Sequence, residues 1–264
     1  MDKEVTINDI AREAGVSKAT VSRVLNNPEK VAKKTREKVL KVIQEKDYRP
    51  NPMARSLTTR KTGVIGVVVS DITNPFYAVM VRSIEEVCRS YQYHIFLCNT
   101  DGREEEEELY VKSLIEKKVD GIILGATRMN DQEIQNLAKA QTPMVFVSRL
   151  PENREQYDYV IVDSVLGGYL ATKYLLSLGH TKIAYLGGHW PTSSNLERLE
   201  GYKRALEEAG IEVRDEYIYC GEFRMENGYR EGIKILRAGK YRPTAVFSAN
   251  DAMAIGLLEA CNEE

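Results

Sequence analysis

The sequence predicts two fold classes in one chain: a small all-α head with a helix-turn-helix and a hinge helix, then a larger two-lobed α/β body. Three observations carry this. Apolar residues in the first half of the head recur at helical spacing around a Gly turn, INDIAREAG-VSKATVSRVLNN. From Gly63 onward, short Val/Ile runs alternate with helical stretches. Charge divides at the same place: residues 1–62 hold 15 Lys and Arg against 8 Asp and Glu (+7), while the remainder is −9. A basic head on an acidic body points to a polyanion partner for the head alone.

Thr6 precedes the first helix, whose Ile7, Ile10, Ala11 and Ala14 share one face, and Gly15 stands where a chain leaves a helix through positive φ. Ser17 is an N-cap for the second helix. There Val21, Val24 and Leu25 form the inward stripe, and Lys18, Ala19, Ser22, Arg23 and Asn26 the outer face. That face has no acid, although the chain is rich in Glu. An acid would meet phosphates in a DNA groove, whereas Arg and Lys can donate to guanine O6/N7 and Ala can touch a thymine methyl. Ser22 and Asn26 suit phosphate oxygens, which fix register without reading sequence. A third helix is expected from about Lys34 to Lys46, with Val39, Leu40, Val42 and Ile43 closing the core. Pro50 and Pro52 end it, and MARSL after them makes little more than one turn, too short to be stable without a partner.

In the body, GVIGVVVS, HIFLCNT, DGIILGA and PMVFVSR read as buried parallel strands with helices between them. A second series is expected from YVIVDS through KIAYLGG, YIYCGEF and TAVFSAND. Parallel sheets bind ligands beyond the carboxyl ends of their strands. The candidates at those ends are Asp71, Asn74, Ser148, Arg149, Asp163, Arg198 (in the helix after KIAYLGG), Phe223 and Asn250. Asp, Asn and Arg grip vicinal hydroxyls and an aromatic covers a ring. Each is equally suited to a turn or cap: Asn74 stands before Pro75, and Asp251 can cap the last helix.

The stretch VTINDIAREAGVSKATVSRVLNNPEKVAKKTREKVLKVIQEKDYRPNPMARSL resembles the DNA-binding headpiece of the lactose/galactose repressor family of bacterial transcription factors. SDITNPFY, GHTKIAYLGG, RLEGYKRALEEAG and FSANDAMAIG resemble that family's effector domain, which is built like periplasmic sugar-binding proteins. The resemblance implies base reading by Lys18, Ala19 and Arg23, and positions near the DNA backbone for Thr20, Ser22, Asn26 and Arg36, beside the Ser17 cap. It also implies a hinge helix, with Asn51, Ala54 and Arg55, that orders in the minor groove of a dimer and wedges Leu57 between base steps. In the cleft it implies an effector grip by Arg198, aromatic walls from Phe76 and Phe223, and a polar contact from Asn250.

The implied domains are 1–50 for DNA binding, 51–62 for the hinge, and 63–162 and 163–264 for the two lobes. Ser148 stands where relatives often carry Asp, so the ligand's hydroxyl pattern is not transferable. Family members run on beyond AIGLLEACNEE, with strands returning to both lobes and a further Asp contact, so the second lobe is expected to be incomplete.

The implied partners are double-stranded operator DNA, a carbohydrate-like small-molecule effector and a second copy of the chain. A nucleobase effector and control by a protein partner are the alternatives. No G-x-x-x-x-G-K-[ST], G-x-G-x-x-G or G-x-S-x-G occurs, and His94, His180 and His189 lack metal spacing. Neither an enzyme, a cofactor nor a metal is therefore expected. No basic-then-apolar leader opens the chain and no apolar run approaches the ~20 residues of a membrane span. The four scattered cysteines suggest a reducing cytoplasm.

Overall fold

A computed structural model describes residues 5–48, 61–125, 134, 136, 141–148, 154–188 and 192–264. The chain forms two compact units, Met1–Thr62 and Gly63–Glu264. No helix among the described residues is long and apolar enough to cross a membrane.

The head holds α1 (Ile7–Glu13), α2 (Lys18–Asn26) and α3 (Lys33–Glu45). Thr6 and Asp9 make a reciprocal capping box at the start of α1. At its end Gly15, at φ +63°, donates to the Arg12 carbonyl at 3.2 Å, and Val16 donates to Ala11 at 3.0 Å. Those two bonds satisfy helix-end carbonyls and turn the chain toward α2. Ile10, Ala14, Val21 and Val39 are fully buried, with Val24 nearly so, in one shared core. Leu40 departs from expectation: it is 46% exposed. Val39 and Val42 take the inward positions of α3, and the intervening Leu40 lies off their stripe.

Among the described residues the body forms two parallel sheets. The first is built from β1 (Val64–Val69), β2 (His94–Asn99), β3 (Gly121–Gly125), β4 (Met144–Val147) and β5 (Asp158–Val160), in the order β2-β1-β3-β4-β5. Helices α4 (Pro75–Ser90) and α5 (Glu104–Glu116) connect its first strands. The continuous apolar run of β1 follows from cover on both faces: Val68 joins one core cluster, Val67 and Val69 the other. Two expectations are corrected here. β2 is an edge strand, with Phe96 and Leu97 exposed, rather than a buried one. YVIV does not open the second series: Asp158–Val160 pairs with β4 and closes the first sheet, and Val160 and Val162 are exposed.

The second sheet comprises β6 (Ile183–Gly187), β7 (Ile218–Cys220) and β8 (Ala245–Ser248), in the order β7-β6-β8. Its helices are α6 (Ser164–Ser177), α7 (Ser193–Glu208), α8 (Met225–Leu236) and α9 (Asp251–Glu263). α6 and α7 touch through backbone. A Cβ on Gly168 would lie 2.2 Å from the Arg198 carbonyl oxygen, and one on Gly201 would lie 2.0 Å from that of Val165. Only glycine permits such an approach, and it fixes where Arg198 leaves its helix.

Candidate DNA-reading face and effector cleft

In the head, Ser17 Oγ accepts from the Thr20 amide at 3.1 Å, as the cap requires, and bonds the Thr20 hydroxyl at 2.9 Å. Val21 and Val24 are buried, whereas Lys18, Ala19, Arg23 and Asn26 are exposed. The first turn of α2 has no acid. Asn26 Nδ2 donates to the Ser22 carbonyl at 3.0 Å. Arg36 is half-buried and its Nη1 donates to the Pro28 carbonyl at 3.4 Å, bracing the turn after α2. The face is thus a row of mostly short side chains punctuated by two cations and carried on a buried stripe. Asn51, Ala54, Arg55 and Leu57 of the expected hinge lie outside the described residues, as do Arg149 and His189.

In each body sheet the chain leaves an inner strand, β1 or β6, for one neighbour and later adds the other on the opposite side. This reversal opens a crevice at the carboxyl end of that strand. The sequence-predicted residues gather at those ends, and several serve first as local braces. Asp71 Oδ1 accepts from the Thr73 amide (2.9 Å) and hydroxyl (2.6 Å). Asn74 Oδ1 caps α4 through the Phe76 amide at 3.0 Å, and Asp163 Oδ1 caps α6 through Leu166 at 2.8 Å. Asn250, not Asp251, caps α9: its Oδ1 accepts from Met253 at 3.0 Å and its Nδ2 donates to the Phe223 carbonyl at 3.3 Å. Ser148 follows β4 with φ +61°, a left-handed backbone that a non-glycine residue adopts at a cost.

Among the described residues, Phe76, Phe223 and Arg198 make no side-chain cap. Phe76 is half exposed and stands edge-on to Tyr77, ring centres 5.2 Å apart. Phe223 lies over Gly188, where a Cβ would come within 2.2 Å of the ring. Arg198 is partly exposed on α7. Its start is fastened to β6: buried Asn195 Oδ1 accepts from Tyr185 (2.8 Å) and from the Gly188 amide (2.9 Å). Burial raises the pKa of Tyr77 and of Tyr185 above the ordinary phenol value, and the Arg198 cation opposes both shifts. Tyr77 belongs to the first lobe and Tyr185 to the second, so the guanidinium stands within electrostatic reach of both.

Sequence reasoning missed Tyr77, Asn195 and Arg224. The first adjoins Phe76 in NPFY and the last adjoins Phe223 in GEFR, signals that adjacency to a candidate could have flagged. Among the described residues there is no cluster of His, Cys, Asp and Glu that could hold a metal ion.

Comparison with known proteins agrees with both halves. Residues 6–51 match the model for bacterial regulatory proteins of the lacI family. Residues 62–264 match that for periplasmic binding proteins and the sugar-binding domain of the LacI family. The chain is 42% identical over 254 residues to the HTH-type transcriptional repressor PurR of Vibrio vulnificus, covering 96% of this chain and 75% of that one. It is 38% identical over 260 residues to catabolite control protein A of Priestia megaterium, covering 98% and 78%. Among solved structures, a lac repressor dimer bound to operator and the anti-inducer ONPF is similar with TM-score 0.83 at 28% identity, over 99% of this chain and 78% of that one. A complex of the transcriptional regulator CelR with cellobiose is similar with TM-score 0.69 at 31% identity, covering 98% and 78%.

Proposed function

The chain belongs to the lacI family of bacterial regulatory proteins, DNA-binding transcriptional repressors, and from that premise we propose that a sugar or sugar derivative in the body's cleft controls its operator binding. The observation that carries the reading is Arg198. It lies on α7, the helix after β6, and its charge lowers the pKa of a tyrosine from each lobe against the effect of burial, while Phe223 follows β7 in the same lobe. A guanidinium that offers parallel donors and an aromatic ring, both lining one cleft, suit a pyranose with vicinal hydroxyls. In the head, α2 enters the major groove of a dimer's half-site, with Lys18, Ala19 and Arg23 toward bases and Ser17, Thr20, Ser22 and Asn26 toward phosphates. Arg36 supports that face through the Pro28 carbonyl. The hinge with Leu57 transmits the state of the first lobe, because a helix of so few residues is ordered or lost by a shift of ~1–3 kcal/mol.

A nucleobase is the second reading. The similarity to PurR repressors and the half-exposed Phe76 ring favour it, since a planar base stacks on an aromatic face. A thermal-shift screen of sugars, sugar phosphates and nucleobases separates the two. The sugar reading predicts stabilisation by a polyol that Arg198→Ala abolishes. Stabilisation by a nucleobase alone transfers the assignment.

A further inference from the structure

We propose that Arg224 is a latch between the two lobes, a positioning residue that holds the cleft closed before an effector arrives. The idea rests on the cleft described above, but it concerns the protein without ligand. Arg224 follows Phe223 in the loop between β7 and α8, on the second lobe. Its Nη2 donates to the Asp101 carbonyl of the first lobe at 3.1 Å. Its Nε stands 3.9 Å from Asp71 Oδ2, also of the first lobe, and 3.7 Å from Glu222 Oε2 of its own loop.

Both ends of this bridge are anchored. On the first lobe, Asn99 ties the two receiving loops together: its Oδ1 accepts from the Ile72 amide at 2.7 Å and its Nδ2 donates to Asp101 Oδ1 at 2.8 Å. The second oxygen of Asp71 is held by Thr73, so the carboxylate facing Arg224 is fixed in orientation. On the second lobe, Asn250 holds the Phe223 carbonyl, one residue before the latch. A guanidinium can serve the carbonyl and the carboxylate together because its donors form a rigid fork, and a charged donor makes the stronger bond. The bridge therefore joins the loops after β1 and β2 to the loop after β7. It favours the closed arrangement that an effector would otherwise have to select alone.

Hydrogen–deuterium exchange of the full chain without effector tests this, comparing the parent with Arg224→Gln. The Ile72, Thr73, Asn74, Gly102 and Arg103 amides, all hydrogen-bonded in the first lobe, should exchange about threefold to tenfold faster in the variant. Unchanged exchange in these loops overturns the latch. So does a rise confined to residues 222–228, which would make Arg224 a brace of its own loop. Asp71→Asn leaves the Asp101 bond intact and should speed exchange at residues 222–225 by a smaller factor; if Arg224→Gln fails to fold, this variant carries the test alone. Because no ligand is present, failure of the latch and failure of the effector assignment are separate outcomes.

Discussion

Gly188→Ala should displace the Phe223 ring, the proposed aromatic wall of the cleft, and leave DNA binding by the head unchanged. A Cβ at Gly188 would lie 2.2 Å from Cε1 and Cζ of Phe223 and 2.3 Å from Cε2. Carbon atoms rest at about 3.5–4.0 Å, so the ring must retreat by roughly 1.3 Å or swing away. Its backbone cannot follow freely, since Asn250 holds the Phe223 carbonyl and the ring packs in the clusters around Tyr185 and Leu186. Overpacking of this kind costs about 1–3 kcal/mol. For a body of this size each kcal/mol lowers Tm by about 2–4 °C. Calorimetry should show that fall in the body's transition, with binding to nonspecific duplex unchanged. Gly167→Ala is the control, because its Cβ meets nothing within 4 Å and alanine suits a helix better than glycine. If Gly188→Ala melts within a degree of the parent, the Phe223 ring is not seated on that backbone and the wall assignment loses its support.

Arg23→Ala should weaken binding to a duplex selected from random sequences by ~1–3 kcal/mol and relax preference at one or two base pairs. Anisotropy on single-base variants reads this, and an equal loss on every duplex would make Arg23 a phosphate contact instead. Gly168→Ala drives a Cβ to 2.2 Å from the Arg198 carbonyl oxygen, which is backbone and cannot turn aside. It should therefore destabilise by about 3 kcal/mol or more, beyond the Gly188 variant. A melting temperature equal to the parent's would refute the close approach of α6 and α7.

The head was legible in some detail because its signals are local. The capping pairs at Thr6 and Ser17 and the left-handed Gly15 each act within a few residues of themselves. The body's strands were legible from β-branched runs, but their neighbours were not. Whether HIFLCN lies at an edge, or YVIV closes the first sheet, depends on pairing across the chain that no local pattern encodes. Leu40 misled because Val39 and Val42 already take the inward positions, and a residue adjacent to Val39 on a helix points about 100° away from it.

In the cleft, sequence located the strand ends but not the duties of the residues there. Asn and Asp cap helices and grip ligands with the same atoms, so Asn74, Asp163 and Asn250 look alike until their hydrogen bonds are seen. Arg224 was invisible for another reason: its partners Asp71 and Asp101 lie more than a hundred residues away.

The central claim is that cleft and DNA-reading face are one coupled system. It is tested most directly by titrating a selected operator duplex with protein, with and without the ligand that the thermal screen identifies, for the parent and for Arg198→Ala. Coupling of ~1–3 kcal/mol predicts that the ligand changes the parent's operator affinity about 5- to 150-fold. Arg198→Ala should bind operator as the parent does and respond less than twofold, with calorimetry showing weakened ligand binding. An operator affinity that no bound ligand changes, or a variant that responds as fully as the parent, would contradict the account.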